Sequence, residues 1–394
     1  MKGFIYFFIA FSLTSCVDPY EFTIEENLEV LIIDAVLTDE QKAHKVILSK
    51  SRGLTNDQQL DTISYVSGAN VWIEDDNQLV TYYHEGLNGT YETENSFAGI
   101  TGQTYVLHVE TPDGKHFESS REILQPGIPM DSIYAVYDER LSTEETALLK
   151  GIQFFVDTKN ISQPNMNFRY EYSESYKIVS PLISEYVMDY TNEEIVPREV
   201  PINICYKTIH SNQIQTATTS GLSSPEIAEL PIRYATSDEP QMRNEYMLVV
   251  KQHSISSNAY QFYKNLRENN ESAGSFFDKQ KGTVLGNITE VGNNEATVMG
   301  YFEVGGVSSI KRHFENADFA RLGLRTNVDY GLCESPLEVG LDTLFSTISP
   351  NLFNILTFID NPIFGEPPLS VYVNPTSCSD CRGTGSLNKP QHWD

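Results

Sequence analysis

The chain has 394 residues, with 54 acidic against 27 basic side chains and a formal net charge of −27. Nucleic acids and anionic lipid surfaces are both held by lysine and arginine, so this balance excludes nucleic-acid binding and electrostatic adhesion to a membrane. A 40% hydrophobic content with 22 tyrosines and 20 phenylalanines is enough for real cores and favours strands, and the length suggests two or three domains.

The first element is a leader. Lys2 precedes the apolar run Phe4 to Phe11, and Leu13-Thr14-Ser15-Cys16 closes it. This reads as a signal peptide over 1–15 of the bacterial lipoprotein kind, with Cys16 lipidated. The run is far shorter than the roughly 20 residues that span a bilayer, so the lipid on Cys16 would be the membrane contact. Residues 16–27, with Asp18, Glu21, Glu25 and Glu26, read as an acidic tether.

From Leu28 the chain turns into short strands separated by turns. Leu31, Ile33, Ala35 and Leu37 alternate with Ile32 and Val36 in a strand expected to be covered on both faces. Strands follow near Val46–Leu48, Ala69–Glu74, Leu79–Tyr83, Thr90–Thr93, Thr104–Glu110 and His116–Ser120. Asp75-Asp76-Asn77, Asn88-Gly89 and Pro112-Asp113-Gly114 supply turn chemistry between them. Seven strands at this spacing predict an immunoglobulin-like β-sandwich over 28–124. Gln125 to Pro129 is a Pro/Gly hinge, taken as the domain boundary.

A second β-sandwich-like domain is expected over 130–394. Its strands lie near Ser132–Tyr137, Ile152–Asp157, Phe168–Tyr172, Tyr246–Lys251, Thr283–Ile288, Ala296–Val304 and Ser309–Phe314. One helix is predicted near 256–268, capped by Ser256 with Ala259, Phe262, Tyr263 and Leu266 on one face. The segment 179–243 is a long excursion suited to a binding insertion. The C-terminal part is irregular, strand-like only near Ile355–Ile359 and Leu369–Val373. The fold class is all-β.

Four cysteines remain beside Cys16: Cys205, Cys333, Cys378 and Cys381. In an exported chain they read as disulfides, with three connectivities open. Cys205 with Cys333 would close a long loop worth about 5 kcal/mol, whereas Cys378 with Cys381 would close a strained loop worth under about 2 kcal/mol. Cys378-Ser-Asp-Cys381-Arg-Gly383-Thr-Gly385 also fits a zinc knuckle, completed by Cys205 and Cys333 or by His392, or a redox CxxC, although the glycines oppose the helix such thiols need.

Other chemistry is sparse. His108 and His116 face each other across the Asp113-Gly114 hairpin, an arrangement more often structural than ligating. Tyr170 and Tyr172 share one strand face and are ligand-stacking candidates, as are Tyr82-Tyr83, Tyr176 and Phe262-Tyr263, against the alternative of core packing. No nucleophile elbow, P-loop or dinucleotide fingerprint is present, so neither catalytic residues nor a cofactor are assigned.

Leu31 to Ser51, Val66 to Asp76, Gly99 to Ser119, Met130 to Tyr134, Val249 to Phe302 and the tail from Cys378 to Trp393 resemble, in order and spacing, a family of Bacteroidota lipoproteins. It is catalogued as a domain of unknown function, number four-two-four-nine. The resemblance implies an outer-membrane lipoprotein encoded beside TonB-dependent receptors, acting as a non-enzymatic binding accessory of such a barrel on either membrane face. A structural or adhesive surface module and a secreted hydrolase are the alternatives.

Overall fold

The computed structural model describes residues 29–51, 63–142, 147–159, 161–272, 284–293, 296–326, 331–349, 351–361 and 366–393. The expected signal peptide 1–15, the expected lipidation site Cys16 and the expected tether 16–27 lie outside them. The fold is mainly β, as expected, in sandwich-like lobes.

The first lobe holds β1 (Leu31–Thr38), β2 (Lys45–Lys50), β3 (Ser64–Tyr65), β4 (Asn70–Asp75), β5 (Val80–Glu85), β6 (Thr90–Glu92), β7 (Thr104–Glu110), β8 (His116–Ser119) and β9 (Glu122–Ile123). Alternate side chains face inward, as the twofold repeat of a strand requires. Ile33, Ala35 and Leu37 meet Val46, Leu48, Val71, Ile73, Leu107 and Val109 in one core. Turns form where the sequence put them. Asn88 and Gly89 both take positive φ, and the Asp75 carboxylate accepts the backbone N–H of Asn77 and Leu79 at 2.9 Å each.

Beyond the Pro/Gly segment come β10 (Ser132–Leu141), β11 (Leu148–Thr158), β12 (Asn167–Val179), β13 (Tyr186–Asp189), β14 (Glu194–Pro197), β15 (Ile204–His210), β16 (Gln215–Thr218), β17 (Ile227–Thr236) and β18 (Tyr246–Ile255). The helix α1 (Ser257–Ser272) follows, with Ser256 Oγ accepting the N–H of Ala259. Then come β19 (Ile288–Glu290), β20 (Val298–Phe314), α2 (Asn316–Leu322), β21 (Leu337–Gly340), the single turn α3 (Leu344–Thr347), β22 (Phe353–Ile359) and β23 (Ser370–Pro375). In the second lobe β15-β12-β18-β20 faces β10-β11-β17. Between them lie Phe154, Phe168, Tyr170, Tyr246 and Phe314.

Two features depart from expectation. The excursion 179–243 does not stand apart: its β13 and β14 join β22, β23 and β21 of the C-terminal part in a five-stranded sheet over Ile355, Val371 and Val373.

The boundary at 125–129 is crossed by one strand. The sequence reads β20 as two pieces because Gly305, Gly306 and the serines after them interrupt its apolar pattern. In the structure it runs unbroken, parallel to β1 in its first half and antiparallel to β18 in its second. One sheet therefore passes through both lobes, and Val298, Phe302 and Val304 complete the first core. The glycines are required by close approach. A Cβ on Gly306 would lie 2.2 Å from the nitrogen of Gly127, and the Gly306 N–H donates to the Gln125 carbonyl at 2.8 Å. The expected hinge is a strap pinned to β20, so 28–124 and 130–394 share a strand.

Candidate functional site

The strands β12, β18, β20 and β1 carry a polar cluster on the sheet face turned away from the second core. Phe168, Tyr170 and Tyr172 point inward along β12, so Arg169 and Glu171 between them point out. Arg169 stands opposite His253 on β18, and Glu303 on β20 stands beside Val36 of β1.

Glu303 is fully buried, and Arg169 and His253 nearly so. The Arg169 guanidinium grips Glu303 with two prongs, Nε to Oε2 at 2.5 Å and Nη2 to Oε1 at 2.8 Å. Its third nitrogen reaches Glu171 Oε1 at 2.5 Å. His253 sits between the same carboxylates, with Nδ1 3.2 Å from Glu303 and Nε2 3.6 Å from Glu171. Tyr263 of α1 closes the cluster from above, its ring centroid 5.1 Å from the guanidinium carbon.

The electrostatics follow from this geometry. Burial would raise the Glu303 carboxyl, but Arg169 and His253 overcome it and pull the pKa down to about 2. Burial likewise opposes ionisation of Glu171, yet His253 and Arg169 hold it far below the carboxylate range. For His253, burial and Arg169 favour the neutral ring, and Glu171 with Glu303 outweigh them and raise its pKa. The carboxyl of Asp34 on β1 is pushed up, first by the protein packed around it and then by Glu303, although the residue stays exposed to solvent.

The cluster opens onto a groove along this face. One hollow of about 340 Å³ is lined by Asp34, Val36, Lys42, His44, Glu171 and His253 among others. A second, of about 560 Å³, includes Glu171, Ser173, Ser175, Thr208, Lys251 and His392. Glu171 belongs to both. A larger open hollow of about 870 Å³ lies at one end of the first sandwich, but its lysines are paired, Lys50 with Glu29 and Lys115 with Asp113.

The model of the family described as Domain of unknown function (DUF4249) matches residues 17–311. The chain belongs to that family. No curated protein and no solved structure matches it. The DUF4249 match takes in Asp34, Arg169, Glu171, His253 and Glu303, and it stops before Cys333, Cys378, Cys381 and the tail.

In this DUF4249 protein the cysteines pair as Cys205–Cys381 and Cys333–Cys378. Neither pairing weighed from the sequence forms, because the CxxC sulfurs lie between two different elements and each reaches outward. The zinc alternative at Cys378 and Cys381 and the redox CxxC are corrected by the same fact: all four sulfurs are committed to disulfides. The tail they fix runs back over the sheet. Ser386 and Tyr206 exchange backbone hydrogen bonds, and Trp393 packs on Tyr206 at 4.9 Å between ring centroids.

The stacking candidates Tyr170 and Tyr172 are also corrected. Tyr170 is 1% exposed and Tyr172 8%, and both rings belong to the second core. Tyr170 donates its hydroxyl to buried Gln252 at 2.9 Å. Tyr176 and Tyr83 are buried too, and Phe262 lies on Tyr301. Tyr82 alone of that set is well exposed, at 62%. His108 and His116 do meet across their hairpin, Nδ1 to Nε2 at 3.3 Å, stacked against Trp72. Among the described residues no group of three or more histidine, cysteine, aspartate or glutamate side chains is arranged to hold a metal ion.

Sequence reasoning missed Asp34, Arg169, Glu171, His253 and Glu303. The one visible signal was Asp34 itself, a lone acid inside an apolar strand.

Proposed function

We propose that this protein is a lipid-anchored, non-enzymatic binding accessory of a TonB-dependent outer-membrane receptor, and that the groove around Glu171 is its ligand-contacting surface. The observation that carries the binding part is the groove itself. Its floor is a preformed, buried ion cluster in which Arg169, His253, Glu303 and Glu171 are locked onto one another. Such a floor holds a shape and a charge pattern, as recognition needs.

The anchoring and the receptor partner rest on the leader with its Cys16 and on the resemblance to receptor-linked lipoproteins. Two disulfides add support for an exported, oxidising setting.

The test is co-purification from the native host. A C-terminally tagged chain, extracted from membranes with mild detergent, is expected to bring a stoichiometric outer-membrane barrel with it, and Cys16→Ser should release the protein from the membrane. A chain that comes out alone overturns the receptor reading. The adhesive-module alternative is favoured only if that lone chain also leaves the groove indifferent to small ligands.

A further inference from the structure

Away from the groove, a cluster of titratable rings sits on the outer face of the first lobe. Val71 and Ile73 of β4, Leu107 and Val109 of β7 and Phe117 of β8 point into the core, so Trp72, His108 and His116, at the alternate positions, point out. Trp72 lies opposite Tyr82 on one side and His108 on the other. His116 comes two residues before Glu118, the residue opposite His108, which makes the two histidines diagonal neighbours within ring reach. The His108 ring stacks on the indole at 5.1 Å and 8°, and the His116 ring at 5.7 Å and 19°. The two imidazoles meet each other at 3.3 Å, His108 Nδ1 to His116 Nε2.

That contact is a bond only with one hydrogen in it, and Glu74 decides which ring supplies it. Its Oε2 lies 4.0 Å from His108 Nε2, which favours a hydrogen on that nitrogen and leaves Nδ1 of the neutral ring bare. His116 Nε2–H is then the donor and His108 Nδ1 the acceptor. A first added proton goes to His116 Nδ1 and makes the bond charge-assisted, hence stronger. A second finds only the accepting Nδ1 of His108, and with hydrogens on both facing nitrogens the contact turns from bond to clash.

Burial holds the His108 ring below the ordinary histidine value, and His116 adds to this, against the pull of Glu118 and Glu74. A group that resists protonation in the closed arrangement opens that arrangement as pH falls. The charges facing the pair are carboxylates: Glu74 on β4, Glu110 opposite His116 on β7, and Glu118 on β8. On β5 the titratable groups of this face are Tyr82 and His84, β19 offers uncharged Thr289, and Lys115 in the turn is 4.0 Å from Asp113. The acids keep the second proton within reach and can receive the ring that leaves.

We propose that His108 and His116 form a proton-operated cover for this face, closed over Trp72 while at most one of the two rings is charged and open once both are. His116 is the ring that leaves, because it begins β8 beside the Pro112-Asp113-Gly114 turn. His108 is held in mid-strand between β4 and β8, with 13% of its side chain exposed. The departure bares an indole face whose ring centre lies 6.4 Å from that of Tyr82, itself 62% exposed. Acid thus turns a hydrogen-bonded face into an aromatic one.

The experiment uses the full-length, disulfide-bonded protein in detergent, carried between about pH 4 and pH 8, either side of the free histidine value of about 6.5. With Trp393→Phe, Trp72 is the remaining tryptophan of the two. The imidazole NMR signals of His108 and His116 should titrate as one coupled pair, in two steps more than about one pH unit apart. Trp72 emission should move to the red and open to acrylamide quenching across the lower step and not the upper one. His116→Ala should leave the indole uncovered at every pH and let His108 titrate in a single step.

One common step for the two histidines overturns the proposal, as does Trp72 emission that stays constant through the lower step. An emission change that persists in His116→Ala overturns it as well. Far-UV circular dichroism should stay flat through the lower step; a loss of strand signal there would mean that the whole fold loosens in acid, and the local cover would be refuted.

Discussion

Arg169 and Glu303, 134 residues apart in sequence, form a two-pronged ion pair sealed beneath Tyr263, at the point where β12, β18, β20 and β1 share one sheet. The pair therefore joins the lobes as well as flooring the groove. A buried pair gains little net stability when intact, but removing one member leaves an uncompensated charge and costs about 3–5 kcal/mol. Arg169→Ala is expected to lose that much in urea unfolding. Arg169→Met with Glu303→Leu should lose far less, and equal losses for the two would contradict the account.

The same cluster sets a pH window. Glu303 has a folded pKa lowered from 4.5 to about 2, so its contribution is complete above 4.5 and fades as pH falls toward 2. His253 has a folded pKa raised above 6.5, so its contribution is complete below 6.5 and fades as pH rises through the folded value. Stability from these two groups should peak between 4.5 and 6.5. His253→Gln should flatten the alkaline side of melting temperature against pH and leave the acid side in place.

The bridge Cys205–Cys381 spans 176 residues, for which loop-closure entropy gives a stabilisation of about 5 kcal/mol at most. The paired substitution Cys205→Ala with Cys381→Ala should lower stability by a large part of that. It should also loosen the tail, so that Trp393 leaves Tyr206, Met247 and Val249. In a Trp72→Phe background, a red shift of tryptophan emission reads this out. An unchanged spectrum would show that the tail holds its place without the bridge.

Gly306→Ala places a methyl group against the backbone of Gly127 and Gln125. Overpacking of this kind costs about 1–3 kcal/mol, and here neither backbone can yield easily. Because β20 belongs to both lobes, Trp72 in the first and Trp393 over the second should report one shared unfolding midpoint, shifted together by the substitution. Two separate midpoints would mean that the lobes unfold independently.

Local pattern made much of this fold legible. The strands of the first lobe, the Asn88-Gly89 and Asp75 turns and the Ser256-capped helix are written in alternation, turn residues and helical spacing, which act over a few residues. What stayed hidden depends on distant partners. From sequence β20 reads as two strands, because Gly305 and Gly306 look like a break until Gln125 and Gly127 are seen lying on them. β13 and β14 carry no strong local strand signal, because the strand that pairs β13, β22, comes more than 150 residues later. Tyr170 and Tyr172 were placed on one face correctly, but only the β10-β11-β17 layer decides that this face is core. The site was least visible of all, since Asp34, Glu171, His253 and Glu303 come from four separate strands and no spacing links them.

The parallel pairing of β1 with β20 has a mechanical consequence. A pull on the segment preceding Leu31 acts along β1, whose neighbours β2 and β20 are bonded to it on both sides at right angles to that pull. The rungs from Leu31 to Thr38 are thus loaded together in shear and cannot be peeled one at a time. A tug from that end reaches β20, and through it the second lobe, before the first lobe can open.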